Sequence, residues 1–241
     1  MVTDTGAGGY HREMARSRRL IPRRPRRVAR IARRRRAPEE ARLEILDAAD
    51  RVFIEFQPDQ VGLKDVGREA GVSHALITHY FGTYAQLIEA ALERRIRALR
   101  ETMIERLRQA GALSRPRELL GILFAALEDP VHLRLMRWLL ASERPSAAHA
   151  FGVHAQGLQQ ISRQIATSLD PNPTLEMIDK IELTLLTAVA AAYGYALAKY
   201  ALVGALGREA SGALDAQVQG TLATMVQSHL RAELGITIPS Q

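Results

Sequence analysis

The chain has 241 residues, 47% of them hydrophobic, and no cysteine. That is enough to bury a real core as one domain or two small ones. It argues against a wholly disordered chain, and it excludes disulfides, thiol catalysis and cysteine-ligated zinc. The formal charge of +7 hides an asymmetry: thirteen of the 26 residues from His11 to Arg36 are arginine, against the single acid Glu13, so this stretch carries +12 and the rest of the chain −5.

Residues 1–36 show neither helical nor strand periodicity. Like charges at that density repel, so the stretch reads as a basic arm that stays disordered until it is bound. No apolar core follows the charges as in a secretory signal, whereas the arginine-rich, acid-poor composition of a mitochondrial transit peptide leaves that alternative open. Met14 is a second candidate start, and beginning there would remove only Arg12 from the run.

From Ala37 onward the pattern is helical throughout. Leu46, Ala49, Phe53 and Phe56 repeat at three and four, widened by Ile45 and Val52, until Pro58 stops the helix. Two short helices are predicted, Leu63 to Ala70 and Ser73 to about Tyr80, then a long one from Tyr84 to Arg108. Pro116 opens a helix to Leu127, and Asp129-Pro130 caps and opens another carrying Leu133 to Leu140. After Pro145 a helix is expected over 147–169. Asn172 is the expected cap of a long helix reaching Gly204, and a last helix covers Leu214 to Leu234. The only strand candidate is the tail Ile236 to Ile238. The uncharged stretch between Glu182 and Lys199 has 16 residues, short of the ~20 that a membrane span needs, and reads as a buried helix.

Within LKDVGREAGVSHALITHYFGTYAQLIEAAL, Leu63 to Leu92, Leu63, Val66 and Ala70 form one apolar face. Gly71 can adopt the left-handed turn, Val72 plugs the angle, and Ser73 caps the next helix. Ile77, Tyr80 and Phe81 fall inward, leaving His74, Ala75, Leu76, Thr78 and His79 mostly outside. Two short helices about a glycine turn form a helix-turn-helix, whose second helix enters the major groove.

The words ILDAADRVFIEF, LKDVGREAGVS and HYFGTYAQLIEAAL, from Glu39 to Leu92, resemble the DNA-binding domain of the TetR family of bacterial transcriptional regulators. That resemblance implies an all-α fold: a three-helix DNA-binding domain over 37–88, then a helical effector-binding and dimerisation domain over 89–241, preceded here by the 1–36 arm. It also implies a homodimer on a palindromic operator, a small-molecule effector and a cytoplasmic, nucleoid-associated protein. The chain departs from the family pattern in three places. Gly62 stands where Thr or Ser usually caps, Thr78 where Tyr is common, and Tyr84 where a phosphate-contacting Lys is usual.

From Ala37 to Ile88 four basic side chains face nine acids, a poor partner for a polyanion. Phosphate neutralisation supplies much of DNA affinity. The arm, through Arg23, Arg24, Arg26, Arg27, Arg33, Arg34, Arg35 and Arg36, is therefore expected to supply the missing cations, some of them in a flanking minor groove. A solvated tail is the plainer alternative. On the helices, Ser73, Thr78 and His79 are candidates for phosphate and His74 for a base edge or phosphate. Ala75 shares the exposed side, and Lys64 and Tyr84 are candidate backbone contacts. Leu76 either packs on a thymine methyl or turns inward.

In the C-terminal helices Phe124, Met136, Trp138, Phe151, His154, Met177 and Tyr193 are candidate pocket residues, with ordinary core packing as the alternative for each. His149 and His154 lie five apart, about 140° around a helix, so no metal site is expected. The small residues around Ala188 to Ala198 suit a four-helix dimer interface with the last helix, or leave room for a long apolar ligand. No catalytic triad, Walker A loop or dinucleotide fingerprint occurs, so neither enzymatic activity nor a cofactor is expected. The competing reading is a helical nucleoid-binding or interaction protein with no small-molecule switch.

Overall fold

Ile45, Leu46, Ala49, Val52 and Phe53 recur at helical spacing, and all five are buried along one stripe of α1 (Pro38–Glu55). The structure is a computed structural model. It describes residues 38–109, 111–141 and 145–235, without the side chains of 114 and 145–156. Among these residues eight further helices follow: α2 (Leu63–Ala70), α3 (His74–Phe81), α4 (Tyr84–Leu107), α5 (Pro116–Glu128), α6 (Pro130–Ala141), α7 (Pro145–Leu169), α8 (Leu175–Ala205) and α9 (Gly212–Leu234). No strand forms among them. Single 3-10 turns, Pro58–Gln60 and Ala112–Ser114, join α1 to α2 and α4 to α5; the sequence pattern did not reveal them. The Ile236 to Ile238 tail lies outside the described residues.

Local chemistry sets most boundaries. Gly71 is left-handed at φ 68° and Ser73 Oγ accepts the Leu76 N–H at 3.2 Å, so the turn between α2 and α3 forms as its residues predict. Gly62 has no side chain to cap α2, but its own N–H donates to Asp65 Oδ2 at 3.0 Å. Asp129 Oδ1 accepts the Val131 N–H at 2.9 Å and so caps α6. The cap of α8 is Thr174, whose hydroxyl accepts the Met177 N–H at 3.2 Å; the expected cap, Asn172, instead donates its N–H to Asp170 in a preceding turn.

The described residues form one compact unit. The assigned boundary at 88 falls inside α4, which runs on without a break. One core holds Ile45, Leu46 and Phe53 of α1, Val66 of α2, Ile77 and Phe81 of α3, Leu87 and Leu92 of α4, and Val131, Leu135, Met136 and Leu139 of α6. Each such side chain contributes about 1.5–3 kcal/mol on burial, so α6 is anchored directly to the helix-turn-helix. Ion pairs tie the same elements together. Arg94 bridges Asp47 and Asp50 of α1, and Arg95 bridges Asp50 (3.1 Å) and Asp129 (2.8 Å) at the start of α6.

α8 differs from the expected buried helix. It is long and apolar enough to cross a membrane by length and composition, but only 22% of its apolar window is buried. Ile181, Thr184, Ala188, Ala192 and Val203 turn inward, and Leu183, Tyr200 and Leu202 face outward. The helix shares the body with α7 and α9 and has a single stripe to bury.

Candidate nucleic-acid interface and ligand cavity

α3 presents Ser73, His74, Ala75, Thr78 and His79 to solvent, and Lys64 is exposed on α2. Leu76 is half-buried. Several of these groups already have partners. Ser73 Oγ accepts the Leu76 N–H, which leaves its own O–H to donate outward. Thr78 Oγ1 donates to His74 O at 3.1 Å, so it meets an anion as a donor only by releasing that bond. His79 stands edge-on to Tyr80, with ring centroids 5.3 Å apart.

Tyr84 is placed differently from a phosphate contact. Its hydroxyl donates to Pro58 O at 2.7 Å, and its ring packs against Phe53 and edge-on to Trp138 at 5.8 Å. Burial, reinforced by Asp65 and Asp59, raises its pKa well above the ordinary phenol value. The side chain joins the start of α4 to the turn before α2.

The cations of the unit are also largely engaged. Arg51 pairs with Glu69 at 2.7 Å, Arg68 with Asp65 at 3.1 Å, and the Arg42 guanidinium lies 5.2 Å above the Phe81 ring. Lys64 has no ion pair among the described residues. The arm arginines, Arg23 to Arg36, lie outside the described residues.

Below the helix-turn-helix, α4 to α9 enclose a cavity of about 410 Å³. Leu99, Met103 and Leu107 of α4, Leu120 and Leu123 of α5, Met136 of α6, Ile161 and Ile165 of α7, Ile181, Leu185, Val189 and Tyr193 of α8, and Leu230 of α9 contribute to its wall. Its size falls within the range of small-molecule sites. Of the expected pocket residues, Met136 and Tyr193 line it. Phe124 packs on Tyr195 at 6.4 Å, Met177 joins a core with Ile181 and Ile165, and Trp138 sits against Tyr84. The geometry of α6 explains the last case: Met136 and Leu140, one turn apart, face the cavity, and Trp138 points about 160–200° away from both. The side chains of Phe151, His154 and His149 lie outside the description.

Two polar contacts leave α6, one toward the cavity wall and one toward the end of α1. Buried His132 meets the Tyr193 hydroxyl at 2.8 Å beside the cavity. Arg134 donates to the carbonyls of Phe53 and Ile54, each at 2.8 Å, at the end of α1. Composition did not single out His132 or Arg134. The available signal was three polar residues, His132, Arg134 and Arg137, in an otherwise apolar helix.

Residues 45–91 match the family described as bacterial regulatory proteins, tetR family. A protein of Agrobacterium fabrum named HTH-type transcriptional regulator BetI is 34% identical over 122 residues, which is 51% of this chain and 54% of that protein. The chain thus spans about half the length of the curated relatives it matches. A solved tetR-family structure from Mesorhizobium loti superimposes with a TM-score of 0.57 at 17% identity, covering 83% of this chain and 98% of that one. One from Streptomyces coelicolor does so with 0.53 at 22% identity, covering 82% and 89%. At these identities the two structures speak for the fold alone.

Proposed function

Taking the chain as a member of the tetR family of bacterial regulatory proteins, we propose that it is a homodimeric repressor that binds a palindromic operator and is released by a small apolar or amphipathic ligand. The observation that carries this reading is the double attachment of α6. Met136 forms part of the cavity wall and His132 bonds the wall residue Tyr193, and on the same helix Arg134 holds the end of α1. A ligand that fits the cavity better in one position of α6 than in another shifts the population of that position. In a dimer such a shift changes the separation of the two α3 helices, which must match half-sites about 34–36 Å apart.

Two further observations support the reading. The outer face of α8 and α9 carries Ala191, Gly194 and Ala198 with Leu183 and Met225, all exposed, a surface suited to close packing of a second copy. The helix-turn-helix unit has few free cations, so the arginine arm is assigned the phosphate contacts, two arms per dimer. On this reading the protein works in the bacterial cytoplasm, at the nucleoid.

Selection of bound fragments from a DNA pool, with the full chain and with a chain beginning at residue 37, tests this. The expected product is a palindrome. Truncation should weaken its binding by more than about tenfold at low salt and flatten the salt slope. Equal affinity for every duplex, with a steep salt dependence, would instead favour a nucleic-acid-binding helical protein without a switch.

A further inference from the structure

This inference rests on the ligand-cavity reading above. We infer that the cavity takes an amphiphile with an apolar body and a carboxylate head, and that Arg100 receives the head. Arg100 is the only charged side chain among the described residues that line the cavity. It interrupts the inward stripe of α4, with Ile96, Leu99, Met103 and Leu107 around it on the same wall. Five other arginines on α4 or at its end, Arg94, Arg95, Arg97, Arg106 and Arg108, each pair with a carboxylate. Arg100 has no ion pair or hydrogen bond among the described residues.

Its surroundings fit a receiving group. α7 passes it at Gly157, where an added Cβ would lie 3.2 Å from Arg100 Cδ and 3.3 Å from a guanidinium nitrogen. The guanidinium therefore rests against bare backbone, where a larger residue would push it aside. Two other polar groups on the wall are already bonded: Thr184 Oγ1 donates to Lys180 O at 2.8 Å, and Tyr193 is held by His132; the remaining one, Gln227, is a neutral amide. A half-buried guanidinium beside apolar walls gains most from an anion, and a planar carboxylate can take two of its N–H groups at once. A neutral head leaves it unpaired and a cationic head is repelled, so the wall selects by charge at one end and by apolar contact along the rest.

The test is calorimetric titration of the full chain with decanoate, decanol and decyltrimethylammonium below their micelle concentrations. Wild type, Arg100→Gln and Arg100→Lys are compared, with thermal melting as the check on folding. Wild type should bind decanoate at least about tenfold more tightly than decanol, and the ammonium most weakly. Arg100→Gln should erase the preference for decanoate and leave decanol binding unchanged, and Arg100→Lys should retain part of it. Equal or tighter binding of decanol by wild type overturns the inference while the cavity reading stands, as does a preference that survives in Arg100→Gln. If none of the three binds a normally melting wild-type chain, the cavity reading itself falls and takes the inference with it.

Discussion

Tyr193, on the wall of the cavity, and His132, 2% exposed on α6, meet with 2.8 Å between the phenol oxygen and Nε2. His132 is shielded from water, and the Tyr193 hydroxyl gives its Nε2 a partner there. Tyr193→Phe should destabilise the fold by about 1–3 kcal/mol, because a buried ring nitrogen loses a partner. His132→Leu with Tyr193→Phe should cost less than the sum of the two single changes. Urea denaturation of the four proteins measures the coupling, and strictly additive losses would show that the bond contributes nothing.

The last turn of α1 has no basic residue of its own to meet its carbonyls. Arg134 supplies one from α6, reaching Phe53 O and Ile54 O. Arg134→Met keeps most of the apolar stem and removes the donors. The expected loss is about 1–2 kcal/mol. Amide exchange should speed up selectively over the last turn of α1, including the Phe56 N–H bonded to Val52 O. A uniform change across the protein would count against this local attachment.

A Cβ built on Gly194 meets nothing within 4 Å, and the residue lies on the outer face of α8. Gly194→Glu is therefore harmless within one protomer and gains about 1 kcal/mol of helix propensity. In the proposed dimer it places a charge between two closely packed helices. Sedimentation should show a monomer with full helical content. A dimer of undiminished affinity would remove this face from the interface.

Three tyrosines make the fold sensitive to alkali. Burial pushes Tyr193 up to about 12, and burial with the nearby Asp215 pushes Tyr195 up to about 12; Tyr84 is raised as well. The folded state holds these protons more tightly than the unfolded one. Their contribution is complete below the ordinary tyrosine value of about 10 and is lost as pH rises from there through the folded values. Asp215 works at the other end. Burial pushes its carboxyl up, but hydrogen bonds from Lys199 and Tyr195 outweigh this and hold it below the usual range. That contribution is present above about pH 4 and is lost as pH falls through the lower folded value. Urea unfolding followed against pH should decline at both ends, with Tyr84→Phe flattening the alkaline limb and Asp215→Asn the acid one.

The helix-turn-helix was legible because its determinants are local. Gly71, Ser73 and the apolar spacing of Val66, Ile77 and Phe81 fix the turn and the buried face within some twenty residues. The cavity was not legible in the same way. Aromatic and methionine residues drew attention as pocket candidates, but Phe124, Trp138 and Met177 pack against neighbours. The empty space lies where leucines and isoleucines of six helices fail to meet, and that depends on helix crossings. Arg100 did leave a trace in the sequence, a cation within an apolar stripe at three-and-four spacing. The bond of Tyr84 was not legible because the carbonyl it meets lies 26 residues earlier in the chain.

The edge-on contact of Tyr84 with Trp138 gives the molecule an intrinsic optical reporter. Trp138 is the only indole in the chain and sits where the first residue of α4 meets α6. Any tilt of α6 against the DNA-reading end changes the surroundings of that one fluorophore. Emission from the unlabelled protein can therefore follow the motion itself, separately from the filling of the cavity, because the indole does not touch the space where a ligand would sit.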